Sequence, residues 1–375
     1  METFDVAIAG GGLIGAAIGF RLASAGLRVA LFDRQQPGEG ASRAAAGILS
    51  PAPENAGMVP LVPLGRASLS LYPEFVHSIE ETSGQSTGYR AQGTLESLFS
   101  GDAQAKLNTI IALHHGLGLK AEALSAEDAR ELEPALSHEL EAAVLRPDEA
   151  SVDNRALTSA ALVAAQRTGV KIFAERSVRA ISRSNNRCTG LIVDQERVEA
   201  RWTVIAAGCH SAEIEGVAPY APVRPAKGQM VALRAKTLNI ERVLWSDHIY
   251  LVPRNDGRIV AGATVEYVGF DKHVTAGAVQ KILTGVVELA PALADAQLEE
   301  TWAGLRPDSP DHLPILGPTD RDGLLIATGH FRSGILLAPV TAQLIREWIT
   351  QESVSLDWGR FSPMRFVETG RATNP

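Results

Sequence analysis

Three glycines and one carboxylate near the N-terminus are spaced to hold a dinucleotide. In AIAGGGLIG, residues 7–15, Gly10, Gly12 and Gly15 fit the pattern G-x-G-x-x-G, and Asp33 closes the next apolar run. Each residue type answers a physical need. Gly10 permits a tight turn, Gly12 lets backbone approach a pyrophosphate, and Gly15 lets the following helix pack closely on a sheet. The helix N-terminus contributes partial positive charge to the phosphates, while Asp33 is placed to accept hydrogen bonds from ribose hydroxyls. A second glycine-rich segment, LLIATGHFRSGILLAP at 324–339, lies near the opposite end of the chain. The two segments read as two hands on one flavin dinucleotide. Cys188 and Cys209 form no CxxC pair, so they build neither a zinc site nor a dithiol centre; both read as buried small residues, and no metal is expected.

The elements that must position these residues follow from periodicity. Phe4 to Ala9 is an apolar strand, Leu13 to Ser24 has helical spacing, Gly26 stops that helix, and Arg28 to Phe32 is a second strand. That is one strand–helix–strand unit of the expected length. The small-residue segment 34–50 reads as a loop that something large approaches, and Leu64 to Thr82 as a helix. A change of pattern follows: a strand at 93–100, a helix at 102–116, and a helix opened by a capping-box-like Ser125 and Asp128. Further on come a helix at 152–169, a strand at 170–175, a hairpin around Arg187 to Val193 and a strand at 202–208. Positions 223–300 are strand-rich with one helix near Thr275 to Leu289. Leu324 to Thr350 reads as strand, glycine turn and long helix, with Gly334 opening the helix.

The fold class expected is α/β: a Rossmann-like FAD-binding domain of the glutathione-reductase type, with an inserted α+β substrate domain on a mostly antiparallel sheet. The division expected assigns 1–85, 140–220 and 301–375 to the FAD-binding domain, and 86–139 with 221–300 to the substrate-binding domain. Composition agrees with a globular enzyme. Of the 375 residues 45% are hydrophobic and 21% charged, and the net charge of −8 argues against nucleic acid or anionic lipid as partner. No uncharged apolar run is long enough for a membrane span, and no secretory leader pattern opens the chain, so a cytoplasmic location is expected.

FAD is preferred over NAD because Gly19 and Ala23 continue the small-residue spacing after Gly15, as in glutathione-reductase-like flavoproteins, and no second G-x-G-x-x-G occurs. Electrons then come directly from an organic substrate. The segments ASRAAAGILSP (41–51), VRPAKGQ (223–229), YLVPR (250–254), GAT (262–264), TWAGLRPDSPDHLPILG (301–317) and ATGHFRSGILLAP (327–339) carry a resemblance along the whole chain. On these residues the chain resembles the glycine oxidase branch of the D-amino-acid oxidase family, which serves thiamine synthesis. The resemblance implies an FAD-dependent homo-oligomer, dimer or tetramer. It would oxidise glycine with oxygen to iminoacetate, then glyoxylate and ammonia, releasing hydrogen peroxide.

Carried over position by position, the resemblance implies cofactor contacts at Leu13, Ile14, Asp33, Arg34, Ala41, Ser42, Ala46, Gly47, Ile48, Val178 and the run His330, Phe331, Arg332, Ser333, Gly334, Ile335 and Leu336. It implies substrate contacts at Arg306, Tyr250 and Arg332. Those residue types suit a zwitterion: the planar Arg306 guanidinium can hold a carboxylate bidentately, and the Tyr250 hydroxyl can add a hydrogen bond. His330 is not needed as a base once the carboxylate is anchored. Trp245, Ile48, Val265 and Ser333 depart from the family pattern, which leaves open glycine, sarcosine or a small D-amino acid as substrate. No cysteine lies between Arg306 and Gly334, where monomeric sarcosine oxidases attach flavin, so the FAD is expected to be non-covalent. Two other readings stand beside this one: an oxidase or dehydrogenase of the same fold for another amine, and a flavin-bearing subunit of a hetero-oligomeric amine oxidase.

Overall fold

The N-terminal unit forms where the glycines require it. In the computed structural model, which describes residues 3–53, 55–99, 101–235 and 240–368, strand β1 is Phe4–Ala9, helix α1 Leu13–Ser24 and strand β2 Val29–Phe32. The strands pair in parallel with Ala9 opposite Phe32. Gly10 between β1 and α1 takes φ +108°, a left-handed conformation that only glycine adopts cheaply. Segment 34–50 is not wholly loop: it contains one helical turn, α2 (Ala41–Ala44), and a two-residue strand, β3 (Ile48–Leu49). The long helix α3 is Val62–Ser83, ended by Gly84 at φ +68°.

Strand β4 (Thr94–Leu98) and helix α4 (Ala103–Gly116) match the expected pair, although position 100 of the expected strand lies outside the described residues. Next come β5 (Glu122–Ser125), α5 (Ala126–Leu132), β6 (Ala142–Arg146), β7 (Ala150–Ser151), α6 (Asn154–Arg167) and β8 (Lys171–Phe173). Ser125 caps α5 by accepting from the Asp128 N–H at 3.1 Å, and Asp153 caps α6 by accepting from the N–H groups of Arg155 and Ala156. The expected hairpin is a meander of β9 (Val178–Ser184), β10 (Arg187–Val193) and β11 (Glu196–Ile205).

Strands β12 (Arg224–Arg234), β13 (Val243–Trp245), β14 (Tyr250–Pro253) and β15 (Arg258–Gly262) precede helix α7 (Ala276–Leu289). The chain ends with β16 (Gln297–Asp308), β17 (Ile315–Pro318), β18 (Leu324–Thr328), α8 (Ala338–Thr350) and α9 (Met364–Glu368). Gly334 does not open the last helix. Ser333 to Leu337 form a separate turn, closed by the Leu337 N–H on the Ser333 carbonyl at 2.9 Å, and α8 starts at Ala338. Pro339 explains the position: lacking an N–H, it is tolerated in a first turn and not deeper in a helix.

Two eight-stranded sheets organise the molecule. The first has the order β17-β18-β11-β1-β2-β8, with β10 and β9 branching from β11. Helices α1, α3, α6 and α8 pack on one of its faces around Val6, Ile8, Leu13, Ile18, Tyr72 and Leu157. The second sheet has the order β16-β12-β15-β14-β13-β4-β6-β5, antiparallel except for β13 beside β4. The sheets therefore do not divide at 140 and 301. Strand β6 pairs with β4 and β5, and β16 pairs with β12 along its whole length, so both belong to the second sheet. Long-range strand pairing decides this, and local pattern cannot register it. Residues 369–375 of the expected first domain lie outside the described residues. Among the described residues no helix is long and apolar enough to cross a membrane.

Candidate active site

A cleft of about 520 Å³ opens at the carboxyl ends of β1, β2, β11 and β18 and runs to the face of β16. Ligand clefts are typically ~300–1,000 Å³. Its inner end is the glycine cradle. A Cβ on Gly10 would collide with the Ala206 carbonyl, and one on Gly15 would collide with the Gly10 carbonyl, so helix and loop approach as closely as backbone allows. Asp33 braces this turn: its Oδ2 accepts from the Gly11 N–H at 2.7 Å and its Oδ1 from the Gln35 N–H at 2.9 Å. At the first turn of α1, the Ser42 hydroxyl accepts from the Leu13 N–H at 2.9 Å. A backbone cradle at a helix N-terminus, with a carboxylate on the neighbouring strand, fits a dinucleotide such as FAD.

The expected cofactor positions lie along this cleft, with Gly15 behind its wall as the packing glycine. The two loops on either side of the cleft share one construction that sequence reasoning missed. In the 41–48 loop, Asn154 Nδ2 donates to the carbonyls of Ser42 (2.7 Å) and Arg43 (3.0 Å), Arg155 Nε to Arg43 (3.2 Å), Trp302 Nε1 to Ala44 (3.1 Å) and Arg254 Nη2 to Ala46 (2.8 Å). The Val152 N–H holds the Gly47 carbonyl at 2.9 Å. In the C-terminal loop, buried Tyr72 and Ser68 of α3 donate to the carbonyls of Ile335 and Leu336, each at 2.6 Å. Donors thus grip both loops by their carbonyls. Nothing in the spacing of Asn154, Arg254, Ser68 or Tyr72 announces this, because each reaches its loop only through the tertiary fold.

The other end of the cleft is built on β16. Its alternation places Glu300, Trp302, Gly304 and Arg306 along the cleft. Gly304 lets the α2 turn approach, since a Cβ there would collide with Ala44. The Arg306 guanidinium lies against Gly228 of β12 and donates from Nη1 to the Thr264 carbonyl at 3.1 Å. Tyr250, only 8% exposed, points its hydroxyl at Met230 Sδ (3.5 Å) with its ring 5.5 Å from that of Trp245. The Phe331 N–H donates to the Pro307 carbonyl at 2.9 Å, bringing Arg332 and the C-terminal loop to the end of β16. Arg306, Tyr250 and Arg332 therefore share one cleft. Of the departures from the family pattern, Trp245, Ile48 and Ser333 line it, whereas Val265 is 41% exposed and outside the lining.

Two titratable groups in the wall are held neutral. Burial pushes His330 down to about 3, and its Nε2 meets Thr341 Oγ1 at 3.1 Å, so at neutral pH it is an uncharged imidazole. Burial likewise pushes the Cys209 thiol up to about 12, and its Sγ donates to the Leu305 carbonyl at 3.2 Å. Cys188 is also a buried free thiol. Among the described residues no group of three or more His, Cys, Asp or Glu side chains is arranged to hold a metal.

A mixed sheet whose parallel strands β18, β11, β1, β2 and β8 end at a dinucleotide cradle, faced by a second sheet that presents arginine and tyrosine, defines a flavin-dependent oxidoreductase. The chain belongs to the DAO family of FAD-dependent oxidoreductases, whose profile matches residues 5–348. It is 38% identical over 380 residues to the bifunctional protein ThiO/ThiG of Synechocystis sp., aligning 100% of this chain with 55% of that one. The chain thus spans about half the length of such bifunctional relatives. It is 34% identical to glycine oxidase from Geobacillus kaustophilus over 97% of both chains. The crystal structure of glycine oxidase from that organism superposes with a TM-score of 0.91 at 32% identity, covering 97% of this chain and 99% of that one. Hydrogen cyanide synthase subunit HcnC of Pseudomonas aeruginosa is 32% identical, again over 97% of both.

Proposed function

We propose that this chain is an FAD-dependent oxidase of glycine or a similarly small amine. The observation that carries the reading is the convergence of Arg306 and Tyr250 at the β16 end of a cleft whose other end is the Gly10–Gly15 cradle. Bound FAD would supply the two-electron acceptor for a hydride leaving the substrate Cα. The chain's own residues do the rest. Arg306 takes the substrate carboxylate, Tyr250 adds a hydrogen bond in place of its long contact to Met230, and Arg332 closes the site from the C-terminal loop. The apolar wall of Trp245, Met230 and Ile48 excludes water and leaves little room for a side chain. His330, uncharged and bonded to Thr341, takes no proton from the amine, so the substrate reacts as the amine that solution supplies. Iminoacetate is then hydrolysed to glyoxylate and ammonia, with oxygen reduced to hydrogen peroxide.

The first-sheet body, 41–48 included, is the cofactor half, with Gly10, Gly12, Leu13, Ile14, Asp33 and Val178 along one wall and His330 to Leu336 along the other. The second-sheet body, which takes in β6 and β16, is the substrate half. The likeness to both ThiO/ThiG and glycine oxidase supports supply of a glycine-derived imine to thiazole synthesis. A homo-oligomer in the cytoplasm accords with this role. The HcnC match favours one second reading, a flavin-bearing subunit that turns over only with partners. Adding glycine anaerobically to the purified yellow protein tests the proposal: the visible flavin band bleaches. A band that persists with glycine, sarcosine and D-alanine alike overturns it, and oxygen uptake by the single purified chain excludes the subunit reading.

A further inference from the structure

Strand β14 carries more than Tyr250. Tyr250 and Val252 lie two apart on one face, and Ala46 and Ile48 of the 41–48 loop pack against the cluster they form. Arg254 follows, again two residues on, and reaches the same loop with a hydrogen bond where the others reach it with packing. Only 6% exposed, it donates from Nη1 to the Val152 carbonyl (3.0 Å) and from Nη2 to the Ala46 carbonyl (2.8 Å) and Asn154 Oδ1 (2.9 Å). Asn154 in turn holds the Ser42 and Arg43 carbonyls through Nδ2. From these contacts we infer that Arg254 is a positioning residue that locks the 41–48 loop to the Tyr250 strand, so that cofactor seat and substrate anchor keep one geometry.

A plain structural ion pair accounts for this arrangement less well. The carboxylate nearest Arg254 is that of Asp153, 3.7 Å from Nε, and Asp153 is closer to Arg258, at 3.2 Å. The short bonds of Arg254 go instead to two carbonyls and an amide oxygen. Burial lowers Arg254 to about 10, which still leaves it cationic at neutral pH. Its planar fork is what lets one side chain meet three acceptors in two segments, a task for which the ammonium of lysine has the charge and not the shape. The inference rests on the reading above that 41–48 seats the flavin, and it adds a residue that touches neither cofactor nor substrate.

Arg254→Lys tests it, with Arg258→Met as control and Asn154→Ala as a second probe of the same brace. The readouts are FAD affinity by flavin fluorescence, acetate affinity by perturbation of the flavin spectrum, and the anaerobic reduction rate at saturating glycine. Arg254→Lys should weaken FAD binding about tenfold, the usual cost of one lost hydrogen bond, and slow reduction by about 100-fold, as for a misplacement near 1 Å. Acetate, which reports Arg306, should bind within about threefold of the parent. Asn154→Ala should act in the same direction, and the double variant should be less than additive. Arg258→Met should leave FAD affinity unchanged. Parent-like FAD binding in Arg254→Lys, or in Asn154→Ala should the lysine variant not fold, overturns the inference, as does an equal loss in Arg258→Met. If glycine fails to bleach the parent protein, the function proposed above falls, while the FAD and acetate comparisons still decide the role of Arg254.

Discussion

Gly228→Ala should damage substrate capture by displacing Arg306, without replacing Arg306 itself. Gly228 sits in β12 opposite Gly304 of β16, and its φ is not in the left-handed range, so alanine is compatible with the backbone. The obstacle is steric. An added Cβ would collide with Arg306 Nη1 and stand 2.5 Å from Nη2, where ordinary contact begins at 3.4 Å, so the guanidinium must retreat by about 1 Å. That is enough to turn a two-point grip on a carboxylate into a one-point grip. A hydrogen bond to a charged group contributes about 1.5–3 kcal/mol, so kcat/KM for glycine should fall by roughly one to two powers of ten. FAD affinity should stay as in the parent, because Gly228 meets the cleft only at its substrate end. Stopped-flow reduction over a range of glycine concentrations, with acetate titration of the oxidised protein, reads both quantities. An unchanged specificity constant, or acetate bound as tightly as before, would refute the placement of Arg306 as the carboxylate anchor.

Other substitutions probe the site more directly. Arg306→Ala should weaken substrate capture by about 2–5 kcal/mol while flavin remains bound, and Tyr250→Phe by about 1–3 kcal/mol, both read as kcat/KM. Tyr72→Phe removes the shorter of two hydrogen bonds to the Ile335 carbonyl, which keeps the Ala338 N–H at 3.3 Å, and should cost about 0.5–1.5 kcal/mol of stability, visible as a lower Tm of the FAD-bound protein. His330 gives a pH signature. The unfolded chain takes up its proton as pH falls through 6.5, whereas the folded protein resists until about 3. Its contribution to stability is therefore full above 6.5 and is lost on acidification across that window, by up to about 1.4 kcal/mol per pH unit. His330→Gln should flatten the acid limb of Tm against pH relative to the parent; parallel limbs in the two proteins would contradict a neutral buried imidazole.

The parts legible in the sequence were those governed by local rules. The first strand and helix lie at Phe4–Ala9 and Leu13–Ser24, as read from apolar period and glycine placement. What escaped was set by partners far along the chain. Strands β5 and β6 carry no strong alternation of their own; β6 exists as the neighbour of β4, and β5 as the neighbour of β6. The start of α8 moved from Gly334 to Ala338 because Pro339 and the Ser333–Leu337 turn outweigh a glycine signal. In the site, the glycines of the cradle stood out by type and spacing, whereas Arg306 was singled out only through the family resemblance. Arg254, Asn154 and Tyr72 matter for which carbonyl they reach, and only the folded chain specifies that.

Strand β16 behaves as a ruler. Trp302 at one graduation fastens the α2 turn, and Arg306, roughly 14 Å further along at about 3.4 Å per residue, faces the proposed substrate end. A one-residue insertion or deletion between them would turn one of the two marks to the opposite face, so the spacing is constrained as well as the residues. New substrates are therefore more easily accommodated by editing side chains off the ruler, such as Trp245 and Met230, than by altering the strand that measures the gap.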